Sequence, residues 1–255
     1  MLKFLLTPKW IALTVVALLL QPAFWELSQW QWRRLHQRET YNSVIVRNQA
    51  LEPVMIDEAV SSNPTKITID GNFEWRRIDV IGSWLTSKQV LVRKRTYESN
   101  LGFWVITPFK ATSGLTILVN RGWIAASDSA LSTPAVQNPP AGTVEILGRT
   151  RIVSVRTKPR PTDLPTGQVD GVHPDEVLPA TRHVSNAYLE LTASSPESRT
   201  SDLQSIPAPE VTEGPHRSYA LQWIFFAIMT IIGWGVLVRK ELQNRDENTT
   251  PTDVK

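Results

Sequence analysis

Four histidines are the side chains of this 255-residue sequence best suited to chemistry at neutral pH, since imidazole both carries protons and ligates metals. They are His36, His173, His183 and His216, and none is spaced from another as a local metal motif such as H-x-x-x-H requires. His216 has the least ordinary surroundings. Arg217 follows it, Tyr219 and Ala220 lie one turn on, and Gln222-Trp223 come next, at the mouth of a long apolar run. A neutral imidazole there suits haem iron, with arginine at hand for haem propionates. The competing reading is an interfacial histidine that merely starts a helix. His173 and His183 lie among prolines and read as surface histidines, and His36 reads as solvent-facing.

Other chemistries are thinly supplied. Cysteine is absent, which removes disulfides, a C-x-x-C redox pair, covalent c-type haem attachment and thiolate copper or zinc sites. Met1, Met55 and Met229 are too few for a thioether copper relay. There is no G-x-S-x-G elbow, P-loop, G-x-G-x-x-G or zinc-hydrolase helix, and scattered Ser, His and Asp do not define a triad. The expectation is a non-enzyme without a resident metal ion. A net charge of +3, with no long basic block, gives no case for nucleic acid.

The elements that must position His216 are apolar. No charge falls between Tyr219 and Val238, a run of about 20 residues or roughly 30 Å of helix, enough to cross a bilayer. Arg217 precedes it and Arg239-Lys240 follow. A second apolar stretch covers residues 10–27, with Trp10 and Trp25 as interfacial anchors. A cleaved signal peptide competes there, but no small-x-small cleavage site is evident. Arg239, Lys240 and Arg245 place the C-terminal tail, 239–255, in the cytoplasm. Two spans then put residues 1–9 in the cytoplasm as well, and residues 28–215 outside it, on a cell membrane. The first helix should run on past the membrane, where Trp30 and Arg34, four apart, can stack as a cation–π pair. An aromatic belt with basic anchors explains the same residues equally well.

Between the spans the pattern changes to strands at 76–82, 90–97, 103–107, 115–124, 143–148 and 187–191, separated by turn signals such as Ser99-Asn100 and Ser113-Gly114. The expected fold is two transmembrane α-helices flanking an extracytoplasmic, mainly antiparallel β domain, as a sheet or small barrel. Gly122 inside a strand suggests a bulge or a close backbone approach. Residues 125–142 read as a loop. Residues 154–215 form a Pro-rich excursion, with 154–182 an extended surface segment and 194–215 a flexible run. The tail after Asn244 reads as disordered, and its Asn248-Thr249-Thr250 triplet, facing the cytoplasm, carries no glycan.

At four places, in order, the chain resembles the Surfeit locus protein 1 family of cytochrome c oxidase biogenesis. Trp30-Gln31 with Arg34 is similar to the family's W-Q-x-x-R, and Gly102 to Pro108 to its G-[FY]-x-V-x-T-P. Val119-Asn120-Arg121-Gly122-Trp123 resembles V-N-R-G-W, and His216, Tyr219-Ala220 and Gln222-Trp223 resemble H-L-x-Y-A-x-Q-W. Ser28 stands where the family commonly has Gly, and Arg217 where it has Leu. The resemblance implies an assembly factor that binds oxidase subunit I and holds haem a. His216 would be the haem ligand, with Arg217 beside it for a propionate. Trp30, Gln31, Arg34, Asn120, Arg121, Tyr219, Gln222 and Trp223 would be partner-binding, while Gly122 and Trp123 read as structural. A permanent accessory subunit of an oxidase or respiratory supercomplex is the alternative. A membrane-anchored enzyme or sensor is the alternative from another class.

Overall fold

The computed structural model describes residues 2–61, 66–127, 133–153, 156–157, 159, 161–179 and 182–247, so the triplet at 248–250 lies outside the described residues. In chain order the elements are α1 (Pro8–Ala50), β1 (Val54–Met55), α2 (Ile56–Ala59), β2 (Arg77–Trp84), β3 (Val90–Tyr97), β4 (Asn100–Ala111), β5 (Thr116–Ala125), β6 (Val144–Ile152), β7 (Gln168–Val169), α3 (Pro174–Val177), β8 (His183–Ser195) and α4 (His216–Glu247). They fall into two compact units, residues 1–42 with 212–255, and residues 43–211.

The first unit is a helix pair. Both α1 and α4 are long and apolar enough to cross a membrane. Pro8 opens α1, where its missing N–H is no loss. The helix continues through the Trp30–Arg34 region as its lack of glycine suggests, and Arg34 lies over the Trp30 ring at 5.9 Å. The two helices pack antiparallel. Trp234 Nε1 donates to Thr14 Oγ1 at 3.0 Å, Phe24 stacks on Trp223 at 6.0 Å, and Ser28 Oγ donates to the Ala220 carbonyl at 3.1 Å. Each step up α1 is matched by a step down α4.

The second unit is a β barrel. Strands run β1-β2-β6-β8-β5-β4-β3-β7, and β2 also pairs with β4, which closes a ring of β2, β6, β8, β5 and β4. All neighbours in the ring are antiparallel except β5 and β8. This ring order, with its one parallel pair, is that of a five-stranded Greek-key barrel of the OB type. Strand β4 serves two neighbours. It pairs with β3 as far as Ile106 and with β2 from Phe109. Pro108 lies between the two partners, where no ladder N–H is required, so the strand runs through the proline instead of ending before it. At the closure a Cβ on Gly82 would collide with the Lys110 carbonyl. Alternation along β5 sends Ile117 and Val119 into the barrel with Ile78, Phe109, Ile146 and Leu189, while Leu118 packs outside with Val92, Ile106 and Tyr188.

The expected bulge lies in β5. Val105 pairs with Gly122 and Ile106 with Asn120, so Arg121 is the extra residue. Gly122 has φ +152°, and a Cβ there would stand 2.5 Å from the Gln204 carbonyl oxygen. Trp123 and Gln204 exchange both backbone hydrogen bonds at 2.8 Å. Residues 198–207, expected to be flexible from composition, are thus bonded to the barrel. Arg121 donates to the Ser198 carbonyl, and Arg149 Nη2 donates to the carbonyls of Ile206 and Pro207, each at 3.0 Å. Below them, buried Glu190 is held by Arg149 at 3.1 Å and Arg151 at 2.9 Å. Burial pushes the Glu190 carboxyl upward, and the two arginines pull it back.

The Pro-rich stretch also departs from the expected surface excursion. Val169, Val172 and Leu178 are buried against Val92, Ile106 and Tyr188, and β7 adds to β3. Arg156 clamps the stretch, with a bidentate fork on Asp170 at 2.7 and 2.9 Å and a further bond to Glu176 at 2.6 Å. The fork holds the Asp170 carboxyl down at about 2, against an ordinary 3.8. A carboxyl depressed in the folded state stabilises the fold above its unfolded pKa and loses that contribution as pH falls through the folded one. The melting temperature of the wild type should therefore fall from about pH 3.8 to about 2, and Asp170→Asn should flatten that fall. At the bulge, Gly122→Ala should cost about 2–3 kcal/mol, read by thermal unfolding, because the residue is strained and meets the 203–204 segment.

Candidate functional site

The antiparallel register brings the first residue of α4 beside the middle of α1. Gly214, at φ +68°, turns the chain, and the Pro215 carbonyl accepts from Tyr219 N in the first turn of α4. Ser28 is 1% exposed and Ala220 0%, so the helices touch most closely here. Two short side chains allow that approach, and one turn further on it leaves His216 Nδ1 at 2.9 Å from Gln31 Oε1. An amide oxygen only accepts, so Nδ1 carries a proton in this pairing, and in the neutral ring Nε2 then keeps its lone pair. Gln31 is itself buried, which fixes the imidazole.

His216 borders an open hollow of about 570 Å³ with Arg34, Gln37, Arg38 and Tyr41. The four α1 residues follow one another at i, i+3, i+4 and i+7, so they share one helix face. Arg34 is held by Trp30 and by Gln37, its Nη1 donating to Gln37 Oε1 at 3.3 Å. No carboxylate lines the hollow. The site therefore offers one imidazole nitrogen with a free lone pair, two guanidiniums and a phenol, a set suited to a ligand that has both a metal and carboxylates.

The expected residues separate into three groups. Gln31, Arg34 and His216 come together, with Trp30 at their edge. Arg217, expected at a propionate, is exposed and does not border the hollow, since the next helical residue turns about 100° away; the arginines that border it are Arg34 and Arg38. Tyr219 and Gln222 are exposed, and Trp223 lies against Phe24 and Phe226 with its Nε1 buried and without a partner among the described residues. Asn120 and Arg121, expected at a partner surface, are both 0% exposed in the second unit. Asn120 Oδ1 accepts from Gly122 N, and Arg121 binds Gln89, the Gln137 carbonyl and the Ser198 carbonyl. A bulge turns that arginine inward, so it is a structural cation. Gln37, Arg38 and Tyr41 were missed, although their helical spacing from Arg34 was the signal that could have found them.

A β-barrel domain flanked in sequence by two paired apolar helices, each long and apolar enough to cross a membrane, defines the class of protein by its architecture. The sequence model of the SURF1 family matches residues 18–228, and the chain belongs to that family. It is 29% identical over 248 residues to a SURF1-like protein of Mycobacterium bovis, covering 96% of this chain and 89% of the relative. It is 27% identical over 238 residues to a SURF1-like protein of Monosiga brevicollis, covering 84% and 83%. It is also similar to the cytochrome oxidase assembly protein SHY1 of Saccharomyces cerevisiae, 24% identical over 100 residues, covering 39% of this chain and 24% of that one.

The tautomer of His216 has a direct readout. In protein labelled with ¹⁵N-histidine, His216 should show a protonated Nδ1 and a bare Nε2. Gln31→Leu removes the acceptor, and the resonances should shift toward the Nε2–H form that a free histidine side chain favours. An unchanged pattern would mean that Gln31 does not set the tautomer.

Proposed function

We propose that this chain is an assembly factor for cytochrome oxidase, acting on oxidase components in the membrane. The support is its family membership and its likeness to the yeast assembly protein. Both apolar helices cross the cell membrane with the termini in the cytoplasm, and the barrel works on the other side. The factor binds subunit I of the oxidase and holds haem a at the His216 hollow. The observation that carries this reading is the imidazole fixed through Nδ1 by Gln31, with Nε2 left free beside Arg34 and Arg38.

The donor set fits the group. Haem a, when bound, would supply an iron that takes a nitrogen ligand, and two carboxylates. His216 would offer Nε2 to it, with Gln31 accepting from Nδ1–H. Arg34 and Arg38 would pair with the carboxylates, and Trp30 would steady Arg34. The hollow is open on one side, so what it holds can leave without unfolding either helix.

Deletion should lower both the assembled oxidase and the haem a absorbance of the membranes, and re-expression should restore them. Protease added outside the cell should cut the barrel unit. Normal oxidase spectra in the deletion strain would end the proposal, and constant stoichiometric recovery with the finished enzyme would end its transient character. In purified protein His216→Ala should abolish the haem spectrum, and Gln31→Leu should weaken haem affinity about 10-fold or more, the usual cost of losing the partner of a ligating histidine.

A further inference from the structure

Beside Pro22 the helix pair leaves a second hollow, of about 390 Å³, bordered by Gln21, Pro22, Trp25, Ile224, Ala227 and Ile228. Its walls are apolar apart from Gln21, the Trp25 indole and the backbone around Pro22. Pro22 has no N–H, so it cannot bond the Leu18 carbonyl one turn back. Gln21 Nε2 donates to the Ala17 carbonyl at 3.2 Å, which leaves Gln21 Oε1 without a partner among the described residues. The α4 wall answers with isoleucines and an alanine, which donate nothing from their side chains. Several other polar groups of the pair are met internally: Ser28 reaches the Ala220 carbonyl, Thr230 the Phe226 carbonyl, and Trp234 reaches Thr14.

In hydrocarbon an unmet acceptor is costly, and a proline is tolerated in a spanning helix where a neighbour re-satisfies the freed carbonyl. An acyl chain would fill the apolar walls but cannot donate a hydrogen bond. We propose that the hollow is the docking groove for a membrane-spanning helix of a partner protein. That helix lays a side-chain hydroxyl or amide donor against Gln21 Oε1 and the Leu18 carbonyl, with its ridge between Pro22 and Ala227. Ala227 and the flat proline ring allow the close approach that spanning helices need when they associate by packing and hydrogen bonds. Trp25, 59% exposed, forms the rim. The inference rests on both helices being membrane-spanning, and it stands apart from the His216 hollow and from any role in oxidase assembly.

The test uses the full chain in its native membranes. A photoreactive benzoylphenylalanine replaces Ile228 in the groove or Met229 as a control; the two are similarly exposed, at 50% and 46%, and point about 100° apart around α4. The Ile228 probe should give a protein adduct whose cross-linked peptide is a membrane-spanning segment bearing Ser, Thr, Asn or Gln. The Met229 probe should not. Gln21→Leu should cut the adduct about three-fold, the ordinary worth of one interhelical hydrogen bond in a bilayer. Pro22→Ala, which restores the helical N–H, should cut it as well, and far-UV circular dichroism of each purified variant reports the intact helices. Lipid adducts alone, equal adducts from both positions, or a yield unmoved by Gln21→Leu would overturn the groove. A specific adduct alongside normal oxidase in a deletion strain would keep the groove and remove the assembly role.

Discussion

The contact between Ser28 and Ala220 governs the helix pair. Two long apolar helices have no hydrophobic force to align them in hydrocarbon, so packing and hydrogen bonds choose their register. A side chain two heavy atoms smaller than leucine's at position 28 lets α4 approach until a serine hydroxyl meets a backbone carbonyl. Everything at the His216 end follows from that choice. A slip of one residue would rotate His216 about 100° away from Gln31 and undo both the tautomer and the hollow. The aromatic contacts of Phe24, Trp223 and Phe226 reinforce the register, but they are broad surfaces that tolerate sliding. The hydrogen bonds do not.

The barrel unit solves a different problem, which is how to hold a long irregular segment. Composition offers residues 198–207 little to bury beyond Leu203. The barrel supplies donors instead. Arg121 is turned inward by the β5 bulge, has no carboxylate hydrogen-bonded to it, and is satisfied by carbonyl oxygens and Gln89. Burial brings its pKa down to about 10, so it stays a cation at neutral pH. A buried cation is expensive to desolvate, and removing any of its acceptors leaves the charge unmet. That asymmetry, more than the energy of each bond, is what pins the segment. Arg149 does the same two strands away, with Glu190 as counter-charge.

Much of this was legible in the chain. The apolar helices, the six strands and the bulge at Gly122 follow from charge-free length, β-branched alternation and one misplaced glycine. The continuation of α1 past Trp30 follows from the absence of a breaker. What was hidden has a common cause. Val169, Val172 and Leu178 belong to a core, but prolines interrupt them, so no period betrays it. A charged side chain such as Arg121 reads as surface until a bulge reverses its direction. Ser28 looked like a small departure from a family pattern, whereas the structure makes it another way of being short at a helix crossing. Arg217 was placed by adjacency in sequence, while the hollow is built by adjacency on a helix face.

The arginines of the hollow can be sorted by what the fold gains from them. Arg34 is anchored twice, to Trp30 and to Gln37, and its orientation is part of the helix surface. Arg38 is exposed and makes no hydrogen bond or ion pair with the described residues. Exposed charges of that kind add little to stability even when paired. Yet it stands with Arg34 beside an oriented imidazole, and no carboxylate borders the hollow. Two like charges repel there. The carboxylates of the proposed ligand would lower that repulsion and so stabilise the same helix face that creates it.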